Sequence, residues 1–366
     1  MAATLALGGG PAWGAPNPPA VTCEACIVVD DHGGVLFARR PDARLPMAST
    51  TKMVTALLVV EEADLEEQVT VSANAATIGG GGLDLQAGET YTAEALLYAL
   101  LLSSSNESAV ALAEHVEGSE AEFVADMNQF ADSIEADDTA FVTSHGLDIP
   151  GHYSSARDLA TIAAALLQDP VLARIVATGS ATIEGPRGAI HLDNRNSLLE
   201  SYKGAVGVKT GYTLGAGNVL VGAARRRGRV LISVAMDSVN STTDTQDLLD
   251  YGWARLRATI LLQAGDTVGG VIPAAGPGVA VVADRDFRGP FVRSEIEFRI
   301  EATRPVASTI SAGEHVGQIV VLRNGRPVGE VAALAASDVA RDDVPWIVEI
   351  LLAVVGGLAG LVGRGA

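Results

Sequence analysis

Lysine is scarce in this chain of 366 residues: of 25 lysine and arginine residues, only three are lysines. An arginine stays protonated in proteins, whereas a buried lysine can lose its proton and act as a base. Lysine is therefore expected to persist where its chemistry is needed. Lys52 and Lys209 lie in short motifs with hydroxyl side chains, and Lys203 lies outside any motif.

Basic residues are few overall, and 44 acidic residues bring the formal net charge to −19. This excess of negative charge argues against a nucleic acid or an anionic lipid surface as a partner. It is compatible with a solvated acidic exterior, and equally with a genome that favours alanine, glycine and arginine codons. Neither explanation defines a function.

Cysteine is limited to Cys23 and Cys26, which form a single C-x-x-C. A zinc site would need a second pair or nearby histidines, and the sequence has neither, so no metal or other cofactor is predicted. A thioredoxin-like site would need a helix beginning at the motif, but residues 27–29 predict a strand. Two interpretations remain open: an accessory disulfide or two idle thiols.

Apolar segments with few charges occur at both ends. Residues 1–15 are small and apolar but lack a basic start, so residues 1–22 are interpreted as a signal-peptide remnant or a disordered arm. Residues 346–362 contain one charge, Glu349. As a helix they would span about 25 Å, which is close to the minimum length of a helix that crosses a membrane. Residues 341–366 are therefore predicted to be a C-terminal membrane anchor, spanning or interfacial, with the rest of the chain outside the cytoplasm.

Between the ends, hydrophobic periodicity predicts one mixed domain over residues 23–262 and a small all-β domain over residues 263–340. The first contains helices inserted between its early and late strands, which predicts a sheet flanked by helices. In the second, strand-like runs alternate with glycine and proline, and Asn324-Gly325 is a hairpin-turn signal. The predicted elements are a hairpin (26–29, 35–38), helices (49–60, 93–102, 108–115, 156–167, 245–262) and strands (207–212, 218–225, 229–236, 279–282, 318–322).

Three short motifs follow one another in a fixed order. Ser49 and Lys52 form S-x-x-K, Ser104 and Asn106 form S-x-N, and residues 209–211 form K-T-G. Each motif alone is weak evidence of a function. Here, however, the first motif begins an apolar helix and the last lies on a predicted strand. Together they resemble the serine-type D-alanyl-D-alanine carboxypeptidases, the low-molecular-mass penicillin-binding proteins of a family like peptidase family S11.

The resemblance extends over roughly residues 25–260. It implies an α/β (α+β) penicillin-binding/β-lactamase-like transpeptidase fold with an antiparallel sheet flanked by helices, followed by a small all-β domain and a C-terminal membrane-anchor helix. Beyond the three motifs, it rests on residues 45–52, 100–109, 145–159, 194–199 and 207–213.

Two positions depart from the family pattern. Glu107 stands where aspartate is usual. Residues 236–245 contain no arginine or lysine, although many members carry there a basic residue that helps to bind the substrate's terminal carboxylate. Carboxylate recognition would then depend on Lys209, Thr210 and Arg195.

The residue chemistry agrees with the resemblance. A serine at a helix N-terminus lies near backbone N–H groups and the positive end of the helix dipole, which suit a carbonyl becoming an oxyanion. Lys52 shares the face of Ser49, three residues on. Burial and the charge of Lys209 would both disfavour its protonated form, leaving a neutral amine to activate Ser49 as the nucleophile.

Further roles are implied by the resemblance alone. Ser104 would lie in the proton path, and Asn106 would bind the substrate amide. Lys209 would hold the charge balance and, with Thr210, attract the substrate carboxylate. Gly211 would let its strand lie close to the extended substrate peptide, and the N–H groups of Ser49 and Tyr212 would form the oxyanion hole. The plainer alternatives are helix caps for Ser49, Ser104 and Asn106, a simple strand end for residues 209–211, and loop-shaping roles for His145 and His152.

The implied activity is removal of the terminal D-alanine from peptidoglycan stem peptides ending in D-Ala-D-Ala, at the outer face of the plasma membrane, with inhibition by β-lactams. A D,D-endopeptidase would use the same acyl-enzyme and stays open. A class A-like β-lactamase is disfavoured because no convincing Glu-x-x-Leu-Asn is present. A non-catalytic envelope binding protein is disfavoured by the complete motifs.

Overall fold

The computed structural model describes residues 17–80, 82–226, 228–258, 260–273, 279–289, 296–302, 309–340 and 348–350. The chain divides into two compact units, one formed by Pro16–Trp253 and the other containing the chain from Ala254 onward. The division thus falls inside a helix, whereas the sequence placed the domain boundary after Leu262.

The first unit alternates helices with antiparallel strands. Its strands are β1 (Ala25–Asp30), β2 (Val35–Arg39), β3 (Gln68–Thr70), β4 (Thr90–Thr92), β5 (Ser180–Gly185), β6 (Gly188–Asp193), β7 (Ala205–Thr213), β8 (Gly217–Arg226) and β9 (Arg229–Ser238). Its helices are α1 (Lys52–Glu62), α2 (Ala73–Thr77), α3 (Ala93–Tyr98), α4 (Asn106–Glu117), α5 (Glu120–Ser133), α6 (Ala156–Gln168), α7 (Pro170–Val176), α8 (Leu198–Ser201) and α9 (Ser241–Ala258).

The main sheet has the order β2-β1-β9-β8-β7, with every pairing antiparallel, so β7 is an edge strand. Alternate side chains of β1 point to opposite faces. Ile27 joins the large core that includes Leu159 of α6, and Val28 lies against Gly252 of α9. Both faces of the sheet are therefore covered by helices, as the sequence predicted.

The second unit, described by itself, is built from β-strands in its described part. They are β10 (Ile260–Leu262), β11 (Thr267–Pro273), β12 (Val279–Ala283), β13 (Phe287–Arg288), β14 (Ile296–Ala302), β15 (Thr309–Ile310), β16 (His315–Arg323), β17 (Arg326–Ala335), β18 (Val339–Ala340) and β19 (Val348–Ile350). Six of them form an antiparallel sheet in the order β14-β16-β17-β12-β11-β19. Asn324 and Gly325 form the turn between β16 and β17, as predicted.

Several local predictions differ from the structure. The helix predicted to begin at Ser49 starts with one 3₁₀ turn, Ala48–Thr51, before α1. The helix predicted over 93–102 ends in a π-helical turn, Ala99–Ser103. The helix predicted over 245–262 ends at Ala258 and is followed by the short strand β10. Cys23 and Cys26 form a disulfide, one of the two interpretations left open.

The predicted terminal segments lie largely outside the described residues, namely 1–16 at one end and 341–347 and 351–366 at the other. Thr22 belongs to the first unit, because its backbone N–H and its hydroxyl both donate to Asp244. Val348–Ile350 of the predicted anchor pairs with β11 as a strand. Among the described residues no single helix is long and apolar enough to cross a membrane; α6 and α7 qualify only as a pair bent by 110°.

Candidate active site

Ser49 and Lys52 are in direct contact. Ser49 is half-buried in the 3₁₀ turn, and Lys52, the first residue of α1, is fully buried. Lys52 Nζ lies 3.0 Å from Ser49 Oγ, within hydrogen-bonding distance. Because they are three positions apart on one helical path, their side chains share a face, as expected from the S-x-x-K spacing.

Lys52 is held by two further acceptors, the Oδ1 of Asn106 at 2.7 Å and the backbone oxygen of His145 at 2.6 Å. Burial lowers the pKa of Lys52 well below its usual value, and the charges of Lys209 and Arg195 lower it further. The nearby Glu107 opposes this shift only in part. Lys52 is therefore positioned and electrostatically disposed to serve as a neutral base.

The second motif lies at the junction between the π-helical turn and α4. Ser104 ends the turn with a left-handed backbone conformation, φ +63°. Ser105, not its neighbours, caps α4: its side chain accepts a hydrogen bond of 3.0 Å from Ser108 N–H. The capping interpretation of Ser104 and Asn106 is therefore wrong. Their side chains contact Lys209 and Lys52 instead.

Asn106 also contacts a glycine-rich loop that the sequence analysis did not connect with the site. Its Nδ2 donates to the backbone oxygen of Gly79 at 2.8 Å. A side chain at Gly80 would meet Nδ2 of Asn106, and one at Gly82 would overlap the carboxylate of Glu107. The glycines thus leave room for Asn106 and for a glutamate, longer than the usual aspartate, beside it.

Lys209 lies on edge strand β7 and is 1% exposed. Its Nζ donates to Ser104 Oγ at 3.0 Å and to the backbone oxygen of Thr210 at 3.1 Å. Burial, aided by the charge of Arg195, lowers the pKa of Lys209 to about 7. A pKa in this range makes the charge of Lys209 sensitive to pH near neutrality.

Gly211 allows β7 to lie against the nucleophile turn. A Cβ at this position would lie 3.0 Å from Ala48 Cβ, 3.1 Å from Met47 O and 3.2 Å from Ser49 N. These contacts are tight, so a larger residue at position 211 would push against the turn that carries Ser49. The adjoining Tyr212 is 63% exposed at the same end of β7.

His145 and His152 are buried beside the nucleophile turn. His152 Nδ1 accepts a 2.9 Å hydrogen bond from Val142 N–H, which leaves Nε2 to donate to Thr51 Oγ1 at 2.8 Å. Burial lowers the pKa of each histidine to about 4, so both are neutral at pH 7. Their contacts agree with the loop-shaping role expected from the sequence.

Arg195 and Asp148 complete the surroundings. Arg195 is exposed, and its backbone N–H donates to Leu102 O at 3.1 Å, two residues before Ser104. Asp148 connects its loop to the end of β7: Oδ1 accepts from Thr213 Oγ1 at 2.6 Å, and Oδ2 accepts from Gly215 N–H at 3.0 Å. No sequence signal marks this contact, because the partners are more than 60 residues apart.

The comparisons agree on one family. The sequence model of the D-alanyl-D-alanine carboxypeptidases, peptidase family S11, matches residues 13–240. A D-alanyl-D-alanine carboxypeptidase of Bacillus subtilis is 29% identical over 87% of this chain and 86% of its own. One of Mycobacterium tuberculosis is 39% identical over 60% of this chain and 76% of its own. Among solved structures, penicillin-binding protein 5 of Haemophilus influenzae has a TM-score of 0.64 at 28% identity, over 89% of this chain and 99% of its own.

Proposed function

The chain belongs to the D-alanyl-D-alanine carboxypeptidase family of serine peptidases, and from that premise we propose that it removes the terminal D-alanine from peptidoglycan stem peptides. The observation that carries the proposal is the contact of 3.0 Å between Lys52 Nζ and Ser49 Oγ. A serine is a weak nucleophile unless an adjacent base takes its proton. Lys52, with its lowered pKa, is that base.

Acylation begins with transfer of the Ser49 proton to Lys52. The Oγ attacks the carbonyl carbon of the penultimate D-alanine, and the N–H groups of Ser49 and Tyr212 receive the oxyanion. When the tetrahedral intermediate collapses, the peptide C–N bond breaks and the amine of the terminal D-alanine leaves with the proton that Lys52 took from Ser49. This proton is delivered through Ser104, and Lys52 is neutral again. Contact of Ser104 Oγ with Lys209 at 3.0 Å supports its place in that path.

Deacylation reuses the same groups. A water molecule gives a proton to Lys52 and attacks the acyl carbon, and Ser49 recovers its proton as the shortened peptide leaves. A β-lactam is expected to acylate Ser49 in the same way, because its amide mimics the D-alanyl-D-alanine bond.

The substrate is proposed to bind as an extra strand on β7. This strand is at the edge of the sheet, so its outer backbone groups are available to an extended peptide. An antiparallel peptide would place its terminal carboxylate beside Lys209 and Thr210 and its scissile carbonyl near Ser49 and Tyr212. Asn106 would bind the amide of the preceding residue once its contact with Gly79 is exchanged.

The region after β9 provides no cation for the carboxylate. Residues 236–245 contain neither arginine nor lysine. Asp244 accepts hydrogen bonds there from Thr22 and from Ser238, the latter at 2.6 Å. Recognition of the substrate carboxylate is therefore assigned to Lys209 and Thr210, with Arg195 nearby.

The proposed location is the outer face of the plasma membrane, with residues 341–366 as the attachment. The apolar composition of residues 346–362 supports this, while Val348–Ile350 takes part in a strand. Expressed in its host with and without residues 341–366, the protein is expected in the membrane fraction only when they are present. Equal partitioning of both forms would disprove the attachment.

Two assays test the activity. A labelled penicillin should form a covalent adduct with the wild type and none with Ser49→Ala. A pentapeptide ending in D-Ala-D-Ala should release one equivalent of D-alanine. No adduct on the wild type, or an undiminished adduct on Ser49→Ala, would contradict the mechanism. Cleavage of cross-linked peptide dimers alone would show a D,D-endopeptidase instead.

A further inference from the structure

Glu120 is an acidic residue outside the three motifs that contacts a loop beside the base. It is the first residue of α5, and its side chain is 22% exposed. Its Oε1 accepts one hydrogen bond from Ser144 N–H at 2.9 Å and another from Ser144 Oγ at 2.7 Å. Glu120 therefore holds both the backbone and the side chain of Ser144, which lies in the loop of residues 143–147.

The same loop contacts α1 through two consecutive carbonyl groups. Ser144 O accepts a hydrogen bond of 2.6 Å from Thr55 Oγ1, and His145 O accepts one of 2.6 Å from Lys52 Nζ. Thr55 and Lys52 are three positions apart, so both side chains lie on one face of α1. The loop thus connects Glu120 on α5 with the base on α1.

The acceptors around Lys52 determine where its lone pair points. A lysine ammonium has three donors, so the neutral amine has two N–H donors and one lone pair. Asn106 Oδ1 and His145 O, at 2.7 Å and 2.6 Å from Nζ, are positioned to accept the two donors. The lone pair is then left to face Ser49 Oγ, 3.0 Å away. If His145 O moved away, the amine could rotate and its lone pair would no longer be directed at the nucleophile.

The nucleophile turn limits the directions in which this loop can move. Gly146 has φ +90°, and a Cβ at this position would lie only 2.0 Å from Ala48 O. The loop is therefore already in close contact with the turn and cannot shift further towards it. Without Glu120 the loop would relax away from the turn, and the carbonyl group of His145 would move with it.

Glu120 acts on the loop through hydrogen bonds and not through its charge. His145 Nδ1 accepts a hydrogen bond of 3.1 Å from Leu147 N–H, so Nε2 carries the ring proton. The distance from this Nε2 to Glu120 Oε1 is 3.7 Å, too long for a hydrogen bond. Burial lowers the pKa of His145 to about 4, so the two side chains do not form an ion pair at pH 7. The link between Glu120 and the loop is thus its pair of bonds to Ser144.

We propose that Glu120 is a positioning residue for the base. By holding the loop of residues 143–147, it keeps His145 O within reach of Lys52 Nζ and so directs the amine towards Ser49. The inference rests on the proposed function, because it takes Lys52 as the base. It requires at position 120 a side chain with the length of glutamate and an acceptor oxygen, but not a negative charge.

Three substitutions separate length from charge. Glu120→Gln keeps the length and an acceptor oxygen, Glu120→Asp keeps the charge but is one methylene shorter, and Glu120→Ala removes the carboxylate. For each full-length protein, stopped-flow measurement with a labelled penicillin gives the acylation rate constant at saturation and the penicillin concentration at half of that rate. Counting the final adduct on Ser49 restricts both values to folded molecules.

The alanine and aspartate variants should be acylated about tenfold more slowly at saturation, since a misplacement of about 1 Å can cost a catalytic step about 10²-fold. The half-saturating concentration should stay within about twofold of the wild-type value, because the base acts after penicillin has bound. The glutamine variant should have a rate constant within about twofold of the wild type. A glutamine variant as slow as the alanine variant would overturn the proposal, as would an alanine or aspartate variant at the wild-type rate.

Glu122→Ala is the matched control. Glu122 lies in the same first turn of α5, and its Oε2 accepts a hydrogen bond of 3.0 Å from Ser119 Oγ. The substitution removes the same negative charge from the N-terminal end of the helix, where such a charge is stabilising. Acylation of this variant should stay within about twofold of the wild type. If it is slowed as much as in Glu120→Ala, the effect comes from α5 as a whole and the proposal fails.

The same measurement separates this proposal from the proposed function. Equal acylation rates in the wild type and Glu120→Ala would overturn the positioning role alone. Absence of a penicillin adduct on the wild type would overturn the proposed function and the positioning role together.

Discussion

Lys52 Nζ and Asn106 Oδ1 lie 2.7 Å apart, while the Nδ2 of the same asparagine donates to Gly79 O. The first two motifs are thus joined before any substrate binds. Asn106 orients the base through one end of its amide and is held by the glycine-rich loop through the other. This arrangement leads to predictions for the base, the loop and the surrounding titratable groups.

Replacing Lys52 by arginine should abolish base catalysis while keeping a positive side chain. A guanidinium does not lose its proton in proteins, so Ser49 would have no acceptor for its own. General-base catalysis typically contributes about 10²–10⁴-fold, and the rate of penicillin acylation should fall by that factor. Stopped-flow or gel measurement of the adduct checks this. Acylation at the wild-type rate would rule out Lys52 as the base.

The pH profile of kcat/KM should have an acidic limb caused by Lys52 and an alkaline limb caused by Lys209. Activity rises with pH as Lys52, its pKa lowered by burial, loses its proton and becomes a base. Lys209 has a pKa lowered to about 7, so above that pH it loses the charge that attracts the substrate carboxylate. A D-alanyl ester lacking the terminal carboxylate should therefore show a weaker decline above pH 7. Identical alkaline limbs for both substrates would contradict the role of Lys209.

Substitution of Gly82 by alanine should disturb the second motif. The added Cβ would overlap the buried carboxylate of Glu107, so that side chain must move and its hydrogen bond of 2.9 Å from Ser105 is lost. Because the displaced atoms are the end of a flexible side chain, the main cost is the lost hydrogen bond, about 1 kcal/mol of unfolding free energy. Adding Glu107→Asp, which shortens the side chain, should restore part of the lost unfolding free energy, as measured by urea unfolding. If Gly82→Ala alone is neutral, the loop does not pack on Glu107 as described.

Acid should destabilise the fold through His145 and His152. The pKa of each is lowered to about 4 by burial, so between pH 6.5 and 4 the unfolded chain binds protons that the folded chain does not. Their stabilising contribution is complete above pH 6.5 and is lost as the pH falls through about 4, by about 2–3 kcal/mol for each histidine at pH 4.5.

The check is urea unfolding of the wild type and His152→Gln at pH 7.5 and pH 4.5. The variant should lose less stability between these pH values, although it is less stable at pH 7.5 through its lost contacts with Thr51 or Val142. An equal pH-dependent loss in both proteins would show that His152 is not the group that titrates.

The sequence predicted the catalytic contacts that follow from local spacing. Ser49 and Lys52 share a helical face because they are three positions apart, and the hairpin of β1 and β2 follows from alternating residues around a turn. The π-helical turn before Ser104 was not predicted, because an apolar run such as residues 99–102 is compatible with a regular helix. The cap of α4 was misplaced by one residue, since consecutive serines precede that helix.

Contacts between residues far apart in the sequence could not be predicted from local sequence patterns. The bond from Asn106 to Gly79 spans 27 positions, and that from Thr213 to Asp148 spans 65. Neither residue type nor spacing marks such pairs, because they form only when separate elements pack. The pKa of Lys209 depends likewise on its complete burial, and a strand pattern alone does not determine that burial.

The edge position of β7 also affects which polypeptide strands can pair with the protein. An unpaired strand edge usually invites pairing with any exposed strand, which proteins ordinarily prevent. Here the nucleophile turn packs against Gly211 on one side, and Ser104 reaches Lys209 from the other. These contacts cover parts of β7, so less of its edge is open to a strand of another protein than at a bare sheet edge. The contacts that position the reacting groups thus also reduce the tendency of two molecules to associate through this edge.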